Sequence, residues 1–189
     1  MIKPKIIIIP GNGNSHIETD NWYAWVRDEL VKRRYEVIAE DMPDPEDAHA
    51  NIWLPHIENN LLADGNTIII GHSSGAVASL RYLENHQLYG AIVIGTNYTD
   101  MGEESEKESG YYGAPWQWDK IKSNTGWIVQ FISTDDPYIP MTETQFIHEK
   151  LGTEYHELTG RGHFMTDHNP VNNTFPEILK VIEQKVDFG

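Results

Sequence analysis

Cysteine is absent from all 189 residues. That single absence removes disulfides, thiolate metal sites and a cysteine nucleophile. It is also compatible with a reducing compartment. Long apolar runs are missing too. The run near the start, Ile6 to Ile9, is followed within a few residues by Asn12 and Asn14, so it is too short for a signal-peptide core or a membrane span. The expected location is therefore cytoplasmic. Cations are scarce: 14 Lys and Arg stand against 29 Asp and Glu, a formal charge of −15. A surface of that sign repels phosphate backbones and anionic lipid, so neither nucleic acid nor a membrane is an expected partner. What is present, 39% hydrophobic residues with 11% aromatic, suits a globular chain with a sizeable core. No linker interrupts it, and one domain over residues 1–189 is expected.

The most informative stretch is Thr67 to Gly75, TIIIGHSSG. Three β-branched residues, Ile68 to Ile70, run into Gly71-His72-Ser73-Ser74-Gly75, and Ala76, Leu80 and Leu83 then recur at helical spacing. G-x-S-x-G between a buried strand and an amphipathic helix has a mechanical meaning. A serine hydroxyl is a poor nucleophile unless it is held exposed beside a base. A sharp strand-to-helix turn holds it so, at the cost of backbone strain that requires small neighbours two residues away, here Gly71 and Gly75.

The rest of the chain alternates. Strands are expected at Lys5–Ile9, Tyr35–Glu40, Thr67–Ile70, Gly90–Gly95, Trp127–Ile132 and Glu154–Leu158. Helical faces appear between them: Trp22, Val26 and Leu30; Ala50, Trp53, Ile57 and Leu61, with Pro55 expected to break or restart that helix; Phe146, Ile147 and Leu151; and Phe175, Ile178, Leu179, Ile182 and Val186. Thr96 to Pro115 is acidic and shows no helical face, so its charge run, Glu103 to Glu108, reads as a solvated loop. The nearby aromatics Tyr98, Tyr111, Tyr112, Trp116 and Trp118 should not all face water. Strict alternation of this kind builds an α/β protein, a parallel sheet covered by helices on both faces, with working loops at the carboxyl ends of the strands.

Every candidate functional group follows a strand. Ser73 follows the third, Asp136 the fifth, His163 the sixth and Asn12 the first. Ser, Asp, His is the chain order expected with this elbow. Ser73 would attack a carbonyl carbon, His163 would act as general base and then acid, and Asp136 would orient the imidazole. Asp135 lies beside Asp136, but Pro137 restricts Asp136 to an extended backbone and so favours it as the orienting acid. The backbone N–H groups of Ser74 and of Asn12, the latter between Gly11 and Gly13, would receive the oxyanion.

These residues resemble the α/β-hydrolase superfamily, and within it the small serine hydrolase family that includes retinoblastoma-binding protein 9. The resemblance is carried by PGNGN (Pro10–Asn14), MPDP (Met42–Pro45), IWLP (Ile52–Pro55), IIIGHSSGA (Ile68–Ala76), SGYY (Ser109–Tyr112), PWQWDKIK (Pro115–Lys122), STDDP (Ser133–Pro137) and GHF (Gly162–Phe164). It implies a three-layer α/β/α fold with a six-stranded parallel sheet and no lid domain. It also implies a triad of Ser73, Asp136 and His163 and no cofactor. With only Thr96–Pro115 where larger relatives carry a lid, short acyl groups are the expected substrates. A retinoblastoma partner is not expected, because Leu61–Gly65 reads LLADG where a Leu-x-Cys-x-Glu segment would be needed.

The function expected is a serine hydrolase acting on a small ester, amide or short peptide, with a non-catalytic interaction module on the same scaffold as the alternative. Metal chemistry is a weaker reading. His163, Asp167 and His168 are close in sequence and His49 and His56 share a helix, but neither set has the H-E-x-x-H spacing. Gly11-x-Gly13 lacks the third glycine of a dinucleotide fingerprint, with His16 in its place. No metal and no cofactor are therefore expected. Trp22, Trp53, Trp116 and Trp118 are candidates either for an apolar pocket or for the core.

Overall fold

A computed structural model describes residues 3–13 and 15–186. Asn14, the end of the Pro10–Asn14 turn, lies outside the described residues. Six strands form one sheet: β1 (Lys5–Ile9), β2 (Val37–Ala39), β3 (Thr67–His72), β4 (Gly90–Ile94), β5 (Ile128–Ser133) and β6 (Glu154–Leu158). Their spatial order is β2-β1-β3-β4-β5-β6 and every pairing is parallel. The helices are α1 (Tyr23–Lys32), α2 (Ala50–Asn59), α3 (Ser74–Leu83), α4 (Glu104–Ser109), α5 (Trp118–Ser123), α6 (Met141–Leu151) and α7 (Pro176–Val186).

The β-branched runs explain the three layers. Successive side chains of a strand point to opposite faces. Ile6, Ile8, Ile68, Ile70, Ile92 and Ile94 therefore join one core with α1 and α7, while Ile7, Ile9, Ile69, Ala91 and Val93 join the other with α2, α3, α5 and α6. Trp22 and Trp53 are fully buried, one in each core, so neither lines a pocket. Strand order reverses at β1 and β3, and the crevice above their carboxyl ends is where such a sheet accepts a ligand.

Two expectations are corrected. Pro55 lies inside α2 without ending it. The proline removes one backbone donor, and the apolar face of Ala50, Trp53 and Ile57 is buried on both sides of it, so packing outweighs the lost bond. The charge run is exposed as expected, apart from the half-buried Glu106, but it is not a loop. Glu104 to Ser109 forms the short α4, with a Glu104–Lys107 pair at 3.1 Å on its outside and Gly110 in the left-handed conformation ending it. The segment around α4 is fastened at both ends. Glu143 accepts the N–H groups of Tyr98 (2.9 Å) and Thr99 (3.0 Å) and the Thr99 hydroxyl (2.8 Å). At the far end the buried Arg81 donates to the carbonyls of Tyr111 (2.7 Å) and Ala114 (2.8 Å), pairs with Glu84 at 2.7 Å and stacks 3.6 Å from the Trp116 ring. Glu84 in turn accepts the Gln117 N–H at 2.9 Å. Tyr111 is buried and the other four aromatics of this region pack against the core. Sequence spacing did not reveal this, because the anchors lie on α3 and α6, far along the chain.

The turn after β3 is so tight that only glycine fits beside it. A Cβ on Gly75 would collide with the carbonyl oxygens of Ile9 and Pro10, and one on Gly71 with the carbonyl of Gly75. Gly75→Ala should therefore cost on the order of 3 kcal/mol. Gly65→Ala, where the nearest atom is 3.9 Å away, should stay within about 0.5 kcal/mol of wild type. Urea-unfolding midpoints of the two variants check this.

Candidate active site

Ser73 is held at φ 53°, ψ −121° between β3 and α3. This is a conformation that non-glycine residues avoid. It is imposed from both sides, since the Ser73 N–H donates to the Ile94 carbonyl at 2.9 Å and its own carbonyl starts α3 by accepting from Ala76 and Val77. The α3 N–H groups nearest Ser73, that of Ser74 first, belong to the unpaired set at a helix start. The side chain opens into a cavity of about 470 Å³ lined by, among others, Asn12, Ser74, Asn97, Glu106, Ile139 and His163.

His163 lies in the loop after β6, one residue beyond Gly162 and one before Phe164, both with positive φ. Its Nδ1 meets Asp136 Oδ2 at 2.7 Å, and the two side chains are only 5% and 3% exposed. The other Asp136 oxygen accepts the N–H groups of Tyr138 (2.9 Å) and Ile139 (3.0 Å). This carboxylate is thus clamped by the turn that begins at Pro137, and its remaining oxygen points at the imidazole. A carboxylate on Nδ1 fixes the tautomer with the proton there and leaves Nε2 as the base. Asp135 is employed differently. Its Oδ1 accepts from the Ser133 hydroxyl (2.6 Å), Gly160 N–H (2.9 Å) and Gly162 N–H (3.3 Å). The Ser133 hydroxyl first, and the two N–H groups with it, hold this carboxyl below its ordinary range. Asp135 shapes the His163 loop without touching the imidazole. Gly95, at φ 57°, lies under that imidazole, where a Cβ would come within 3.0 Å of Cε1.

After β1, Gly11 and Gly13 turn their N–H groups into the protein, to the Tyr23 hydroxyl at 3.3 Å and the Glu46 carbonyl at 3.1 Å. Asn12 lies between them on the cavity wall. Opposite, α4 contributes Glu106, whose carboxylate accepts a hydrogen bond from Tyr112; Tyr112 in turn accepts from Asn97 Nδ2 at 2.8 Å. Burial, partly offset by the Tyr112 bond, holds the Glu106 carboxyl above its ordinary range. Glu106 went unnoticed in the sequence as a site residue, because it sits in a charge run of solvated appearance. The signal available was the glycine stop at Gly110. Trp116 and Trp118 stack on each other 5.1 Å apart beside a separate surface cleft, away from Ser73.

The histidines considered as metal ligands have other partners. His168 Nδ1 accepts the His163 N–H at 2.9 Å, and His49 Nδ1 meets Asp44 Oδ2 at 2.7 Å. Among the described residues, Asp44, Asp47 and His49 place ligand-type atoms within 4.8 Å of one another, outside the Ser73 cavity. No helix of the described residues is long and apolar enough to cross a membrane.

A family described as serine hydrolase matches residues 6–184. The serine hydrolase RBBP9 of Rattus norvegicus is 44% identical over 180 residues, spanning 95% of this chain and 94% of its own. The solved structure of the ydeN gene product of B. subtilis superposes with a TM-score of 0.86 at 21% identity, covering 97% of this chain and 98% of that one. An esterase from Exiguobacterium antarcticum superposes with a TM-score of 0.64 at 9% identity, covering 97% and 93%. The two superpositions carry the fold; the 44% identity carries the family.

His72, the first of the two variable residues of the Gly71–Gly75 motif, is buried at the site, and burial first, then His163, push its pKa down to about 3. The fold therefore favours neutral His72. Its ordinary value is 6.5, so its contribution to stability is complete above that pH and is lost as pH falls from 6.5 toward 3. One proton limits the slope to about 1.4 kcal/mol per pH unit. Urea midpoints taken from neutral pH down to about 5 should fall for wild type and fall less for His72→Gln, which has no proton to gain.

Proposed function

The chain belongs to the serine hydrolase family, and we propose that it cleaves small ester, amide or short peptide substrates through an acyl-enzyme on Ser73. The observation that carries this reading is the strained, outward-facing Ser73 sharing one cavity with a His163 whose Nδ1 is 2.7 Å from a clamped Asp136. His163 Nε2 takes the Ser73 proton as the hydroxyl attacks the carbonyl carbon. The tetrahedral oxyanion is received by the N–H groups of Ser74 and Asn12. His163 then returns the proton to the leaving group, and water repeats the sequence to release the acid. Asp136 holds the Nδ1 proton and stabilises the imidazolium without being protonated.

The cavity supports a small substrate. Its volume of about 470 Å³ suits a compact acyl group, and α4 and its flanks close it on one side. No Lys or Arg is among the described residues lining it, while Glu103 and Glu106 are. Neutral or cationic substrates therefore fit better than carboxylates, which would meet like charge at short range.

These roles and the cavity's size set four expectations. Ser73→Ala should abolish turnover of p-nitrophenyl esters and labelling by a fluorophosphonate probe while leaving the melting temperature near wild type. Retained turnover would exclude Ser73 as nucleophile, and an unlabelled, inactive wild type would instead favour an interaction module. Asp136→Asn should lower kcat about 10⁴-fold by disturbing the His163 tautomer. Asp135→Asn should act mainly on stability, by roughly 1–2 kcal/mol through its lost bonds to the loop. In an acyl-length series of p-nitrophenyl esters, kcat/KM should fall beyond short chains, and faster cleavage of long chains would contradict the pocket assignment.

A further inference from the structure

His72 joins elements that the catalytic residues themselves do not join. Its Nε2 lies 2.8 Å from the His163 carbonyl oxygen, and its Nδ1 lies 2.6 Å from the Tyr23 hydroxyl on α1. The protons can be assigned from the partners. A carbonyl only accepts, so Nε2 carries the proton and donates it. The Tyr23 oxygen accepts the Gly11 N–H at 3.3 Å and the Asn21 Nδ2–H at 3.3 Å. With those two donors on its oxygen, the Tyr23 hydroxyl proton goes to Nδ1. Asn21 closes the circuit: its Oδ1 accepts the Thr166 N–H at 2.9 Å, three residues along the chain from His163. The ring runs from the His163 carbonyl through His72, Tyr23 and Asn21 to Thr166 and back along the loop after β6. Gly11, beside Asn12, hangs on the same Tyr23 oxygen.

Both ring nitrogens of His72 and the Tyr23 hydroxyl are satisfied, and both side chains are buried, each against Trp22 and against the other. A satisfied polar network in such surroundings has one arrangement and resists any other. We propose that His72 is the positioning residue of this site. Through Nε2 it fixes the His163 peptide, and through Nδ1 and Tyr23 it fixes the Gly11–Asn12 turn. The base and one oxyanion donor are thereby held at set distances from the residue next in sequence to His72, the nucleophile Ser73. The inference rests on the hydrolase reading above and adds to it the device that keeps three loops in register. It also accounts for a histidine that lies on the cavity wall, 5.1 Å from the His163 ring, and takes no proton in the reaction.

The test uses His72→Phe, Tyr23→Phe, their double variant and His72→Gln, each confirmed as folded by near-UV circular dichroism. His72→Phe keeps the ring volume and removes both bonds. Tyr23→Phe leaves the His163 carbonyl bond in place and removes the hydroxyl's bonds to Gly11, Asn21 and His72 Nδ1. In His72→Gln an amide N–H can reach the His163 carbonyl. Misplacement of a catalytic group by a fraction of an ångström to about 1 Å costs up to ~100-fold in rate. For folded His72→Phe, kcat with a p-nitrophenyl ester should therefore fall ~10–100-fold, a larger change than in KM, because the lost bonds hold the His163 peptide rather than the substrate. Tyr23→Phe should lose less. The losses in the double variant should be less than the sum of the two single losses, since both residues act in one network, and His72→Gln should recover most of the rate. Independently of turnover, the downfield proton resonance of His163 Nδ1 against Asp136 should shift or broaden in His72→Phe and be restored in His72→Gln. A wild type without turnover would refute the hydrolase reading and leave the resonance to decide this one. Wild-type kcat together with an unchanged resonance in the folded variants would overturn the proposal, as would strictly additive losses in the double variant. Should His72→Phe fail to fold, Tyr23→Phe and His72→Gln carry the same comparisons.

Discussion

The left-handed backbone of Ser73 is the constraint on which the rest of the site depends. A residue with a side chain adopts φ 53° together with ψ −121° only where its surroundings hold it there. Here β1 and β4 supply those surroundings. The Ile94 carbonyl takes the Ser73 N–H from one side, and the Ile9 and Pro10 carbonyls press on Gly75 from the other. The elbow is therefore wedged at the place where strand order reverses. Strain held there does two things at once. It turns the hydroxyl outward into the cavity, and it aims the start of α3, with its unpaired N–H groups, at the same space.

The remaining parts are brought to that fixed point by independent devices. Asp136 is clamped by the turn N–H groups of Tyr138 and Ile139 and has one oxygen left for His163. Asp135 and Asn172 shape the loop from below, Asn172 by donating to the carbonyls of Arg161 and Met165. The roof comes from the segment around α4, fastened through Glu143 at one end and the buried Arg81–Glu84 pair at the other. A buried ion pair contributes little net stability on its own. Its use here is geometric, since Arg81 and Glu84 between them also hold the backbone at Tyr111, Ala114 and Gln117. The roof places a half-buried carboxylate, Glu106, on the wall of the cavity that Ser73 also lines, and gives that wall its acidic character.

Much of the fold was legible because its signals are local. The β-branched runs of β1, β3, β4 and β5 announce strands covered on both faces, and their alternation with amphipathic stretches leads directly to a parallel sheet. Residues of the site were legible where a short motif carries the mechanics: Ser73 by the glycines around it, His163 and Asp136 by their positions after strands. What stayed hidden depends on partners distant in sequence. The path of α4 is decided by Arg81 and Glu143, so its own sequence reads as a loop and the burial of Glu106 goes unseen. Pro55 reads as a break, yet burial of Trp53 and Ile57 carries α2 through it. His72 reads as a free position of a motif, and only its contacts with Tyr23, 49 residues earlier, and His163, 91 residues later, give it content.

The central claim is chemical: the carbonyl carbon of the substrate becomes bonded to Ser73 Oγ before water releases it. The most direct measurement is rapid acid quench of the protein during turnover of a p-nitrophenyl ester, followed by intact mass and peptide mapping. An acyl-enzyme on Ser73 requires a burst of p-nitrophenol matched by a mass increase of one acyl group, located on the peptide that contains Ser73. Turnover with no burst and no adduct, or an adduct on another residue, would contradict it.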